Sequence, residues 1–302
     1  MRRGREGTAI VIVLKMKDTE SNLIAIVKYL SEEIGERSYH DPRKLGKVAD
    51  YIESKFREYG LAVSRQPFKY RNKTYFNVIA ELKGVGVPDP EIIVIGAHYD
   101  TVSGSPGADD NASGVAGLLE IARLCSLNLP KRTIRFVAFC LEEPPAYMTR
   151  HMGSYVYAGS LSAEGVKVKG MIALEMLGFY RDYKGSQEFP SSLLRLFFPS
   201  TANFISFVGD LHSKSFTREV EKAFKSVSSF PVETLNTLAI VPGVDFSDHR
   251  NFWKFGYPAF MVTDTAFYRN ANYHEQGDTA ETLDYRRMAD VVSGLYKAVS
   301  GL

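Results

Sequence analysis

Six side chains able to hold a metal or move a proton stand at or just beyond the ends of apolar runs: His98, Asp110, Glu142, Glu143, Glu175 and His274. Imidazole nitrogen and carboxylate oxygen without thiolate suit divalent cations such as Zn²⁺. Two imidazoles and three carboxylates are enough for two ions, which would leave a Lewis-acidic centre and bring a bridging water to neutral-range acidity. Unpaired carboxylates gathered at one buried rim would repel at a cost of several kcal/mol, and a cation relieves that cost. Each residue also has a bland reading. His98 is equally a hydrogen-bonded histidine at a strand end, Asp109, Asp110 and Asn111 are helix caps, and Glu142–Glu143 is a solvated loop pair.

The elements that must position these groups decide between the readings. Ile92 to Ile95 is an unbroken apolar run bounded by Gly96, the pattern of a strand buried on both faces, and it leads to His98, Tyr99 and Asp100. His98 and Asp100 lie two apart on an extended segment, so Asp100 can hold the imidazole from behind while its other nitrogen meets a metal. A Gly/Ser/Pro loop and a helix from about Ser113 to Cys125 follow. Thr133 to Leu141 is a second buried strand, running into Glu142–Glu143. If the chain leaves extended geometry there, one glutamate can ligate metal while the other takes a proton from the metal-bound water and returns it to a leaving amine. Gly170 to Leu174 is a third apolar strand, ending in Glu175, and the loop 264–282 after the strand Pro258 to Thr263 carries Tyr273–His274. Parallel strands deliver their ends to one edge of a sheet, where open α/β proteins build their sites.

Elsewhere the spacing predicts amphipathic helices on Leu23 to Ile34, from Pro42 to Gly60, on Lys214 to Val227 and on Leu283 to Ser300, with a hairpin-like pair of strands, Leu61 to Tyr70 and Thr74 to Leu82. Strands alternate with helices and no linker separates two cores. The expected fold is α/β: a single domain with a mixed, mostly parallel central sheet flanked by helices on both faces. Residues 21–302 form the expected catalytic domain. Residues 1–20 read as a disordered or strand-like leader, favoured over an export signal because Lys15 and Lys17 follow a short apolar stretch without a small-residue cleavage site; a cytoplasmic location is favoured accordingly.

Here the chain resembles the co-catalytic zinc aminopeptidases related to bacterial leucyl aminopeptidase and aminopeptidase Y, in metallopeptidase clan MH. The matching segments are HYDTV at His98, PGADDNASGVAGLLE at Pro106 to Glu120, EE at Glu142, EMLG at Glu175 and YHEQGDT at Tyr273, in order over roughly residues 20 to 302. The resemblance implies a phosphorylase/hydrolase-like zinc peptidase fold with two Zn²⁺ per chain. His98 and Glu175 would bind one ion, Glu143 and His274 the other, and Asp110 would bridge them. Asp100 would orient His98, Glu142 would be the general base, and Tyr273 would stabilise the oxyanion. The substrate would be a peptide with a free N-terminus. The resemblance also implies a strained or cis peptide after Asp110. This chain departs from the pattern at Glu175, where the family usually has aspartate, and at Pro144–Pro145, where a Gly-rich turn is usual. A single-zinc acyltransferase resembling glutaminyl cyclase and a non-catalytic relative are the competing readings.

Other candidates are weaker. Asp248–His249 reads as cleft lining or a structural hydrogen bond rather than ligands. Phe179, Tyr180, Phe246, Trp253 and Phe267 are candidates for an apolar substrate pocket, with His249 at its edge, and the loop from Gly178 to Pro199 for a lid. The 302 residues carry a net charge of +2 and no sustained Lys/Arg run, which gives nucleic acid and anionic membrane little support, and no stretch is long enough to span a bilayer. Cys125 and Cys140 read as buried thiols. Oligomeric state is not legible.

Overall fold

The computed structural model describes residues 18–86, 91–191 and 193–302. Of the expected leader, 1–17 lie outside the described residues, and 18–20 already begin a helix, α1 (18–34). Thr19 anchors it by donating from Oγ1 to Glu120 Oε1 at 2.7 Å.

Asp41 then caps α2 (Pro42–Glu58), accepting from the backbone N–H groups of Arg43 and Lys44, with proline in the first turn as the Asp-Pro pair implies. Gly60, at φ 78°, turns the chain into β1. Next come β1 (Ala62–Tyr70), β2 (Lys73–Leu82), β3 (Ile92–His98), α3 (Gly114–Leu127), β4 (Ile134–Phe139), α4 (Gly153–Ala163), β5 (Val168–Glu175) and β6 (Ile205–Asp210). The chain closes with α5 (Lys214–Val227), β7 (Val232–Thr237), α6 (His249–Trp253), β8 (Ala259–Thr263) and α7 (Tyr285–Ser300).

The eight strands form one sheet in the order β1-β2-β4-β3-β5-β8-β6-β7. The central four, β4-β3-β5-β8, are mutually parallel; β1 and β2 add an antiparallel hairpin at one side, and β6 runs antiparallel to β8 at the other. All seven residues of β3 are buried, as its uninterrupted apolar run requires for a strand covered on both faces. One face carries Leu23, Val48, Phe56, Leu118, Phe216 and Val292 from α1, α2, α3, α5 and α7. The other is covered by Tyr157 and Ala158 of α4 and Phe252 of α6 against Val94, Val137 and Met171. The architecture is the mixed, mostly parallel sheet with helices on both faces that the strand–helix alternation implies. Cys125 and Cys140 are both buried free thiols. Among the described residues no helix is long and apolar enough to cross a membrane.

Four parallel strands pointing the same way bring their carboxyl ends to one rim. His98 ends β3, Glu142–Glu143 lie just past β4, Glu175 ends β5, and the loop after β8 carries His274. Residues 176 apart in the chain thus share one edge because register, and not sequence proximity, puts them there.

Candidate metal centre

Backbone geometry at the rim is unusual where the functional side chains sit. Leu141 (φ 63°), Met176 (φ 53°) and His274 (φ 63°) occupy the left-handed region that side chains other than glycine rarely adopt. Leu141 is the departure from extended geometry that turns both Glu142 and Glu143 inward; both are buried. The carboxylate of Asp100 accepts the Glu142 N–H at 3.0 Å and the Glu143 N–H at 3.1 Å, holding the pair in place. Between β3 and α3 the chain kinks at Asp110 and Asn111, whose dihedrals are not helical, and the Asp110–Asn111 peptide is cis. Asn111 Oδ1 accepts from both Gly114 N and Met176 N, tying this kink to the end of β5. A Cβ at Gly114 would run into that same Oδ1 and the Leu174 carbonyl, so this position requires glycine.

His98 Nε2 lies 3.3 Å from Asp110 Oδ1 and 3.3 Å from Glu175 Oε1. Asp110 turns its second oxygen the other way: Oδ2 is 3.1 Å from His274 Nε2, which also stands 3.4 Å from Glu143 Oε2. The potential ligand atoms of His98, Asp110 and Glu175 lie within 4.8 Å of one another, and so do those of Asp110, Glu143 and His274 and those of His98, Glu142 and Glu143. Two ligands each about 2.0–2.2 Å from one tetrahedral ion stand about 3.4 Å apart, so these separations suit zinc. Asp110 Oδ1 and Glu143 Oε1 are buried without a hydrogen-bond donor. Orphaned acceptors of this kind are costly unless a cation completes them. The nitrogen–oxygen donor set and the orphaned oxygens therefore fit a divalent metal.

The electrostatics ask for the same thing. Burial alone would depress both histidines, yet contact with Asp110 and Glu143 raises His274 to about 10, and Glu175, Asp100 and Asp110 raise His98 well above its ordinary value. Asp110 is pushed up by burial, but the two histidines beside it outweigh that and hold it well below the usual carboxylate range. Burial raises Glu142 well above its ordinary value, and raises Glu143 to about 7 with Asp110 adding to the effect. Protons on the imidazoles do the neutralising that a cation would do.

The predicted role of Asp100 needs correcting in one respect. It does lie behind His98, but Nδ1 meets the Asp100 main-chain carbonyl at 3.1 Å, while the carboxylate is 3.6 Å away and engaged with the Glu142–Glu143 backbone. Tyr273 stacks on the His274 ring with centroids 3.8 Å apart, and burial with Asp110 and Glu143 nearby raises its hydroxyl, which stays protonated as a donor.

A cavity opens from Glu175 and Tyr273 and is walled by Phe246, Phe267, Met261 and Val208, with Gln187 to Pro190, Leu194 and Phe198 of the 178–199 loop along its side. Of the candidate pocket residues, Phe246 and Phe267 line it; Phe179, Tyr180, His249 and Trp253 do not. Phe179 is buried beneath the Arg181 guanidinium, and Tyr180 donates to the Leu177 carbonyl while its ring packs edge-on to Phe230. His249 Nε2 is 2.8 Å from the Val244 carbonyl in a fully buried position, and Trp253 donates to the Ala259 carbonyl. Phe179, Tyr180 and His249 are buried and Trp253 is half-buried against the core, so all four serve packing rather than the cavity wall.

Three further residues with a part in this site do not stand out in the sequence as site residues. Ser247 donates to Glu175 Oε2 at 2.6 Å, fixing the longer carboxylate where a shorter one is usual. Asp278 accepts the N–H groups of Asp109 and Asp110. Arg37, fully buried, donates to the carbonyls of Leu30, Gly35, Tyr99, Pro106 and Gly107, tying α1 to the loop that carries Asp110. An isolated Arg or Ser has no periodicity to betray it; Asp278, inside the YHEQGDT segment, was the one with a motif around it.

Residues 77–299 match the model of peptidase family M28, and the chain belongs to that family. The uncharacterised protein YfbL of Escherichia coli (strain K12) is 43% identical over 277 residues, 89% of this chain and 84% of that protein. Among solved structures, a zinc aminopeptidase from Bacillus subtilis superposes with TM-score 0.72 at 18% identity, covering 93% of this chain and 95% of that one. A glutaminyl cyclase from Bacteroides thetaiotaomicron superposes with TM-score 0.69 at 19% identity, covering 94% and 98%. At such identities these superpositions establish the fold alone.

Proposed function

We propose that this protein is a zinc aminopeptidase that removes the N-terminal residue of peptides with a free α-amine. The observation that carries the reading is Asp110, whose two oxygens face two different imidazoles, each completed by a separate glutamate. His98, Asp110 and Glu175 would hold one Zn²⁺, and Asp110, Glu143 and His274 a second. When bound, zinc supplies Lewis acidity toward the substrate carbonyl and brings water to neutral-range acidity.

The chain's own residues do the rest. Glu142, whose oxygens accept from no ligand histidine, is free to take a proton on its carboxylate and deliver it to the departing amine. The Asp100 clamp keeps its backbone, and so its carboxylate, in register with Glu143. Tyr273 presents a phenolic O–H toward developing negative charge on the carbonyl oxygen. The apolar cavity beside Glu175 takes the side chain of the residue to be released. The second complete ligand set favours this reading over a single-zinc acyltransferase, which would need only one.

The test is a panel of aminoacyl anilides and their N-blocked counterparts, assayed with and without added zinc, together with metal content. Zinc-dependent cleavage that requires the free amine, with about two ions per chain, is the expected result. Glu142→Gln should lose about 10²–10⁴-fold in kcat, the usual share of general acid–base catalysis, while keeping its metal. Cleavage of blocked substrates, or full activity in Glu142→Gln, would sink the reading.

A further inference from the structure

The cavity beside the metal centre is built on the sheet itself. Glu175 of β5 pairs with Thr263 of β8, Thr263 with Ser206 of β6, and Ser206 with Glu233 of β7. These four residues form one row across four strands, and all four line the cavity. One row further along, Met261, Val208 and Leu235 pair in the same way and make an apolar floor. With strands about 4.8 Å apart, the row spans about 14 Å from Glu175 at the metal centre to Glu233 at the far end.

Among the described residues no lysine, arginine or histidine lines this cavity, whose charged members are Glu175, Glu188 and Glu233. Glu188 is exposed. Glu233 is half-buried and forms no ion pair among the described residues; Lys225, whose charge acts on it, is held by Glu221 at 2.6 Å. Burial accordingly lifts the Glu233 carboxyl above its ordinary value. A half-buried carboxylate without a cation, at the end of an apolar trough, is a place for an arriving positive charge. The cavity volume of about 100 Å³ suits one long side chain, since a single water needs roughly 10–15 Å³ on this measure. A lysine or arginine stem reaches roughly 6–7 Å beyond its Cα, counted in bonds of about 1.5 Å. Adding a hydrogen bond of about 2.9 Å and the reach of the Glu233 side chain, roughly 4 Å on the same bond count, brings the head to the Glu233 carboxylate.

We propose that this trough selects N-terminal lysine and arginine, laying the aliphatic stem on Met261, Val208 and Leu235 and pairing the cationic head with Glu233. The proposal rests on the aminopeptidase reading only for placing the terminal residue's Cα beside Glu175.

The test separates binding from turnover. Dissociation constants of L-lysinamide and L-norleucinamide, which differ by the charged head on a stem of like length, are measured on the zinc-loaded Glu142→Gln full chain, in which cleavage of these amides is slowed, and on the same chain carrying Glu233→Gln. We expect lysinamide to bind at least tenfold more tightly than norleucinamide to the Glu142→Gln chain, and the ratio to fall below twofold when Glu233→Gln is added, with norleucinamide unchanged. Equal or undetectable binding of the two ligands, or a preference that survives Glu233→Gln, overturns the proposal. Anilide turnover, followed separately, reports on the aminopeptidase reading: a lysinamide preference without turnover upholds the trough and refutes that reading, and turnover without the preference does the reverse.

Discussion

Replacing Arg37 by lysine tests whether the ligand rim is held from behind. The guanidinium donates to five carbonyls at 2.7–3.0 Å. Two of those, Pro106 and Gly107, begin the loop that carries Asp110; a third, Tyr99, follows His98. Burial draws the Arg37 pKa down to about 10, with Asp278, Asp100 and Asp110 opposing, so it stays charged at neutral pH. Lysine keeps the charge but has three donors against five and no planar fork. At least two charge-assisted bonds to buried carbonyls are lost, at roughly 1.5–3 kcal/mol each. Water entering the vacated space offsets part of that, which leaves an expected destabilisation of about 3 kcal/mol. Because the released carbonyls flank His98 and Asp110, zinc affinity should fall about 10–100-fold, the usual effect of removing the outer support of a metal ligand. Urea unfolding of the metal-free chain and zinc titration against a competing chelator read the two effects separately. A lysine variant with zinc affinity within twofold of the wild type would refute the positioning role, whatever its stability.

Asp110→Asn keeps the shape but removes the charge shared by both ligand sets, so zinc content should fall from about two ions per chain toward none; retained stoichiometry, measured by elemental analysis, would contradict the shared role. His249 supplies a pH test on a buried group that is not itself among the metal ligands. Burial lowers its pKa to about 4 against an ordinary 6.5, with the Val244 carbonyl opposing, so between those values the unfolded chain binds the extra proton. Stability is then full above about pH 6.5 and is lost as pH falls, by about 2 kcal/mol from pH 7 to pH 5. Urea midpoints of wild type and His249→Gln at both pH values should show a shallower pH slope in the variant by about that amount, and parallel slopes would be the wrong result.

The parts of this molecule that were legible in the sequence share a physical cause. Ile92–Ile95, Thr133–Leu141 and Gly170–Leu174 are apolar on both faces apart from Thr133 and Arg135 at the start of the second, which only a strand covered twice tolerates, and each leads to a polar terminus that the parallel order gathers. The amphipathic helices were equally readable; α5 matches its expected bounds residue for residue. Side-chain direction within loops was not. Phe179 and Tyr180 sit four and five residues from Glu175 and read as pocket walls, but the hydrogen bond from Phe179 N to Asp264 Oδ2 turns that segment inward. That partner is 85 residues away, and nothing local announces it. Glu233 was hidden for the converse reason: it lies on an edge strand far from every motif, and only the register of three strand pairs places it in the cavity.

One device recurs around the rim. Asp100 accepts from the Glu142 and Glu143 backbone, and Asp278 from that of Asp109 and Asp110. Asp109 accepts from Gly178 N and Asn270 Nδ2, and Asp264 from Phe179 N and Ala266 N. Each loop that carries a ligand is thus clamped by a buried carboxylate from another loop. Such acids are costly to bury, and burial raises Asp264 to about 6 and Asp278 to about 8. In return they satisfy the N–H groups of loops too irregular to pair with a strand. The rim is therefore ordered by its own hydrogen bonds, independently of the atoms that would hold zinc. Ligand changes should lower metal affinity while sparing the fold, whereas changes to the clamping acids should lower both, and the two classes of residue are separable on that ground.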